Sequence, residues 1–144
     1  MKELTFYLPI ALIVISNVFY HICTKSTPET ANPFLSLLVT YAVAGLATGT
    51  LLILTGGLEK NIFTSISELN WTSYILGLCV VSLEFGYIMA YRLGWNISVG
   101  SVVANVTLGI ILIPVGVLFY KEILTINHLF GIALCFTGLF FINR

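Results

Sequence analysis

Five apolar runs, each near the roughly 20 residues that a helix needs to cross a bilayer, leave this chain of 144 residues few options. They extend approximately from Leu4 to Cys23, Phe34 to Leu54, Trp71 to Tyr91, Ile97 to Phe119 and Ile126 to Ile142. Hydrocarbon offers the backbone no hydrogen-bond partner, so each run predicts a helix. Composition agrees: 58% of the residues are hydrophobic and 8% are charged, against about 25% charged in soluble domains. Mean hydropathy is +1.04. The connections are too short to hold a soluble domain, so residues 1–144 are expected to form one transmembrane domain. The fold class expected is an all-α integral membrane protein with five spans.

Turn chemistry punctuates the runs. Ser26-Thr27-Pro28 through Asn32-Pro33 predicts a short turn, with proline opening the second helix. Gly56-Gly57 closes that helix, and the stretch from Lys60 to Leu69 could lie along the interface as a helix. Gly94-Trp95-Asn96 predicts a tight turn between the third and fourth spans, and Lys121-Glu122 opens the last connection. Pro114 removes a backbone hydrogen bond inside the fourth span and should kink it. Gly45 and Gly49, and more loosely Gly131 and Cys135, have the small-xxx-small spacing of close helix contacts. The first run carries Asn17 and His21 and lacks a small-x-small cleavage site, so it is expected to be a mature span rather than a signal peptide. Cys23, Cys79 and Cys135 match neither a zinc pattern nor a disulfide framework and are expected to pack as small apolar residues.

Charge limits the function classes. The six Lys and Arg balance six acids, all of them Glu, and no basic patch suggests a nucleic-acid partner. With five spans, one side of the membrane holds Lys2, Lys60 and Lys121 and the other holds Lys25, Arg92 and Arg144. The usual positive-inside bias is missing. A dominant span or a translocation partner could still set the orientation; the sharper expectation is a chain that inserts both ways and pairs as an antiparallel homodimer. Larger transporters build that geometry from inverted repeats. No nucleophile–base pair, metal cluster or phosphate loop stands out, so no enzyme activity and no cofactor are expected.

Glu84 lies well inside the third run. An acid at the bilayer centre costs about 2.5–3.5 kcal/mol on insertion scales and is by default a functional group. Arg92, on the same helix, lies about 12 Å further along the axis and is expected to snorkel to the headgroups. Without a cation beside it, Glu84 should hold a proton near neutral pH, as a proton-coupling or cation-binding group must.

Counting from the span ends puts other polar groups at a similar depth. Glu84 lies seven residues before Tyr91 and Asn17 six before Cys23, while Tyr41 lies seven into the second span and Asn105 eight into the fourth. With Thr137 on the fifth, all five spans offer a polar group roughly 8–12 Å from the same surface. Tyr87 and Tyr91 fall near the direction of Glu84 on its own helix, and Ser98, Ser101 and Asn105 form a stripe. Asn17, His21 and Lys25 step by four along the first span, with His21 expected at the interface. Taken singly, the Ser, Thr and Asn residues are also ordinary interhelical hydrogen-bonding groups. The candidate site for substrate or protons is Glu84 with Tyr87, Tyr91, Asn17, Tyr41, Ser101 and Asn105.

The passage from Ala90 to Ser101, then Pro114, then Phe119-Tyr120-Lys121-Glu122-Ile123-Leu124-Thr125 and the glycines Gly131 and Gly138 resemble, in order and spacing, one five-helix half of the EamA-like drug/metabolite transporter superfamily. The resemblance covers most of residues 71–144, and the first two spans by length and placement. It implies an inverted-repeat half that moves a small polar or cationic molecule without ATP-binding machinery, in the inner membrane of a bacterial or archaeal cell. The chain is also similar in places to the four-helix small multidrug resistance proteins, which use a first-helix glutamate. If Lys25 matches the lysine ending that helix, the equivalent position lies near Asn17, so a coupling carboxylate here would be Glu84. Glu122 matches the superfamily's turn glutamate, and its loop position suggests helix capping. The expected function is thus a proton-coupled secondary transporter. The rival is an accessory subunit of a heteromeric transporter or lipid-carrier flippase.

Overall fold

The computed structural model describes residues 2–56 and 62–142, and every regular element among them is helical. The helices are α1 (Lys2–Lys25), α2 (Pro33–Leu54), α3 (Ile62–Ser67), α4 (Trp71–Arg92), α5 (Ile97–Tyr120) and α6 (Ile126–Ile142). Four of them are long and apolar enough to cross a membrane: the segments Phe6–Lys25, Pro33–Leu54, Trp71–Arg92 and Ile97–Tyr120. The fifth apolar run becomes α6, which at 17 residues is shorter. Of the interfacial stretch expected from Lys60 to Leu69, only the six residues of α3 are helical among those described, and Lys60 lies outside them.

Only 6% of the apolar window of each long helix is buried. Phe6, Leu46, Leu76 and Leu118, among many others, face outward. A water-soluble bundle would turn such residues inward, so this surface fits a hydrocarbon surrounding. The cysteines share that exposure and are free thiols. Hydroxyls on the helices are satisfied locally: Thr40, Thr48, Thr50, Ser82 and Thr137 each donate to the carbonyl four residues back, at 2.8–3.1 Å. A side chain that bonds its own helix needs no water.

Packing divides the chain into two compact units, Met1–Leu93 and Gly94–Arg144. In the first, α4 packs against both α1 and α2. The chain leaves α1 and enters α2 at the end where α4 finishes, so α1 and α4 run the same way and α2 runs against them. The core sits at that end, where Leu37, Ile88, Tyr91 and His21 are buried. Phe34 of α2 stacks on Phe85 of α4 with centroids 4.9 Å apart and planes within 8°. The expected close helix contact at Gly45 and Gly49 does not form within this unit: a Cβ at either would meet nothing within 4 Å.

The turn from α1 to α2 is tied down from both sides. Asn32 caps α2, its side-chain oxygen accepting from the backbone N–H groups of Phe34 (2.9 Å) and Leu35 (3.3 Å), and Pro33 opens the helix. Arg92, at the end of α4, does not snorkel to headgroups as its sequence position suggests. Its guanidinium donates to the carbonyls of Pro28 (3.0 Å) and Ala31 (2.7 Å). The Pro28 carbonyl also accepts from the Ala31 N–H, and the planar fork of an arginine can reach it and the Ala31 carbonyl at once.

In the second unit α5 packs on α6. Lys121 ends α5 in the left-handed region at φ 55°, and the N–H groups of Lys121 and Glu122 both point to the carbonyl of Gly116. Glu122 thus caps the helix, and its carboxylate lies where a Cβ on Gly116 would be. Thr125 and His128 cap α6 reciprocally, each backbone N–H donating to the other's side chain at 3.4 Å.

Replacing Arg92 by alanine removes two charge-assisted hydrogen bonds at once. The expected loss is about 2 kcal/mol of stability in detergent, read by denaturant titration of helicity. Arg92→Lys offers a single cationic point in place of the fork and should recover only part of it.

Candidate functional site

Glu84, Ile88 and Tyr91 occupy positions i, i+4 and i+7 of α4, a single helix face. Ile88 and Tyr91 are the most buried residues of that helix, each 4% exposed. The acid therefore shares the packed face of α4, and it is only partly accessible. It looks into a cavity of about 130 Å³. Tyr20, Cys23, Thr24 and Thr27 line this space from α1 and the turn, Ser36, Leu37 and Thr40 from α2, and Glu84 with Ile88 from α4. Tyr20 and Thr24 of α1 and Thr27 just beyond its end again fall at i, i+4 and i+7; on α2, Ser36 and Thr40 fall at i and i+4. A polar stripe from α1 and the turn and another from α2 thus meet the Glu84 carboxyl of α4.

The groups around the carboxyl are hydroxyls. Tyr41 of α2 and Tyr20 of α1 are polar neighbours of the carboxyl. Both phenol oxygens are buried without a completed hydrogen bond. The threonines have placed their protons on the carbonyls four residues back: Thr24 donates to Tyr20 O (2.7 Å), Thr27 to Cys23 O (3.3 Å) and Thr40 to Ser36 O (3.0 Å). The cationic side chains at this end direct bonds to main-chain oxygens, Lys25 to Tyr91 O (3.1 Å) and Arg92 to the turn.

Next to the cavity is an aromatic cluster centred on His21. Its Nδ1 is 2.8 Å from the Tyr91 hydroxyl. Its ring meets Tyr87 edge-on at 4.8 Å, Tyr20 at 5.2 Å and Tyr91 at 6.1 Å. Lys25 Nζ stands 5.6 Å above the Tyr91 ring, a cation–π distance. His21 is 7% exposed, packed among these rings rather than facing outward. Its place near the end of α1 suggested the interface, but the turn held by Arg92 and the rings from α4 enclose that end.

Of the residues singled out from sequence, the first unit brings together Glu84, Tyr41, Tyr87 and Tyr91. Tyr87 and Tyr91 belong to the aromatic cluster rather than to the cavity wall. Asn17 is exposed on α1 and does not line the cavity. Ser101 and Asn105 lie in the second unit and bond within α5, Ser101 Oγ to Ser98 O (3.2 Å) and Asn105 Nδ2 to Ser101 O (2.9 Å). Thr137 likewise bonds within α6, so these bonds are intrahelical where interhelical ones were expected. Asn105 does line a groove of about 590 Å³ in that unit, beside Gly109, His128 and Gly131. Tyr20, Thr24, Thr27, Ser36 and Thr40 were not singled out. Their i, i+4, i+7 spacing along α1 and the turn and i, i+4 spacing on α2 are the signals that would have found them.

The His21–Tyr91 bond lends itself to a double-mutant cycle. His21→Phe keeps the ring packing but strands a buried phenol, so a loss of about 1–3 kcal/mol in thermal or denaturant stability is expected. Combining it with Tyr91→Phe should return much of that loss, because the stranded hydroxyl goes too.

Compared with protein-family models, with curated proteins and with solved structures, the chain matches none.

Proposed function

We propose that this protein is a secondary transporter of a small polar or cationic molecule, coupled to protons, with Glu84 as the group that alternately holds the proton and the substrate. One observation carries this reading. A carboxyl inside a membrane-length helix faces a cavity that two other helices and the turn between them line with hydroxyls. An acid at that depth is costly, and a cavity between helices gives it a ligand to receive. Protonation neutralises it while the site is empty of cation; substrate binding displaces the proton. Competition for one carboxyl is sufficient to couple the two fluxes.

In this proposal α6 serves as a fifth span, and the chain is an EamA-like half that pairs with an inverted copy. The balanced Lys and Arg tally supports insertion in both orientations. Two Glu84 cavities would then open toward opposite faces of the membrane. Tyr41 and Tyr20 would steady the carboxyl, and Asn17, Ser101 and Asn105 would act only if an alternate state brought them to it.

Reconstituted in liposomes, the wild type should accelerate substrate-driven proton movement, with a rate that changes across the range in which Glu84 titrates. Glu84→Gln should lose the coupled proton flux and the pH dependence together. Transport by that variant with unchanged pH dependence would remove Glu84 from the coupling role. Reporter fusions at the C-terminus should show both orientations in comparable amounts. A single orientation would rule out the antiparallel homodimer and favour an accessory subunit of a heteromeric transporter or flippase.

A further inference from the structure

Counting protons around the Glu84 cavity gives the chemistry of its ligand. Each of Thr24, Thr27 and Thr40 has one hydroxyl proton, and each has given it to the carbonyl four residues back. What they can turn to the cavity is lone pairs. Glu84 adds a carboxylate with room for about four hydrogen bonds. The remaining donors at the site are the hydroxyls of Ser36 and Tyr20, with Tyr41 beside the acid. Those three protons cannot fill both the carboxylate's capacity and the lone pairs of the three threonine oxygens. The cavity therefore carries an excess of acceptors and a negative charge.

An anion or an acceptor-rich sugar would find few donors here. A bare metal ion would leave most of about 130 Å³ unfilled. It would also rest partly on apolar wall, since Leu37, Ile88 and Cys23 complete the lining. A cation that carries several N–H donors on a compact apolar body matches both parts of the surface. We infer that the Glu84 cavity binds a primary ammonium group on a short aliphatic body, with the charge on Glu84 and N–H bonds to the threonine oxygens. This rests on the proposal that the cavity is the transport site, and narrows it: recognition is by hydrogen-bond donation, not by charge alone.

Two probes separate those possibilities. tert-Butylammonium and tetramethylammonium have the same charge and nearly the same size, but only the first has N–H donors. Binding of each to the purified full-length protein is measured by calorimetry at fixed ionic strength, with sodium and propionate as controls. The expected result is saturable binding of tert-butylammonium at least tenfold tighter than that of tetramethylammonium, and no binding of propionate. Thr40→Val and Thr24→Val, which keep side-chain shape and lose the oxygen, should each weaken tert-butylammonium roughly tenfold and leave tetramethylammonium unchanged. Circular dichroism melts of the variants check that they remain folded, and Thr48→Val, outside the cavity, controls for hydroxyl loss on α2. Equal affinity for the two cations, or threonine variants with wild-type affinity, overturns the inference. So does sodium binding that displaces the ammonium at equal concentration. If Glu84→Gln abolishes proton-coupled flux but tert-butylammonium never binds, the transport site stands and the ammonium falls. If tert-butylammonium binds with the expected pattern while Glu84→Gln leaves the pH dependence intact, the ligand stands and the coupling role falls.

Discussion

The bond between His21 and Tyr91 is what makes a site out of three apolar helices. Helices in hydrocarbon have little reason to prefer one neighbour over a lipid tail, so a buried polar contact fixes their register. At 2.8 Å this one sets α1 against α4, and the rings of Tyr20 and Tyr87 pack around it. Tyr20 then lines the space that Glu84 faces. The Arg92 fork closes the same end by holding the turn that leads into α2, which places Ser36 and Thr40 opposite. Each wall of the cavity follows from one of these two fastenings.

A second constraint runs through the whole molecule. Away from water, a hydroxyl must find an acceptor on its own helix or on a neighbour, or leave a donor unsatisfied. Most of the threonines solve this with the carbonyl one turn back. That local answer is indifferent along the lipid-facing surface, where it simply hides a polar group. In the cavity it has a chemical consequence, because a threonine that has spent its proton is an acceptor only. The same motif hides a polar group at Thr48 and leaves lone pairs beside the cavity at Thr40.

Much of the fold was legible because hydrophobic length is a strong signal. The turn residues also marked where helices begin and end: Asn32-Pro33 caps α2 as its chemistry suggests, and the stretch from Lys121 leads out of α5. Glu84 was legible for the opposite reason, as a charge where none is expected. What the sequence could not convey is azimuth between helices. His21 and Arg92 both sit near helix ends, and depth alone assigns such residues to the interface. Their burial and bonding depend on the turn from residue 26 to 32 folding over them, a tertiary event. Likewise, depth counting placed Asn17 in the layer of Glu84, while the face of α1 that meets the cavity is the one carrying Tyr20 and Thr24. Depth without direction yields a layer; the packed structure selects one side of it.

The direction of the helices has an electrostatic consequence. In the first unit two long helices finish at the end near Lys25 and Arg92, and one begins there. Each helix C-terminus carries about half a negative charge and each N-terminus about half a positive one. The three dipoles therefore leave a surplus of roughly half a negative charge at that end. Lys25 and Arg92, two full positive charges bonded to main-chain oxygens there, outweigh it. The end where the three helices meet is thus closed by charge as well as by hydrogen bonds, the cations sitting where the helix dipoles favour them.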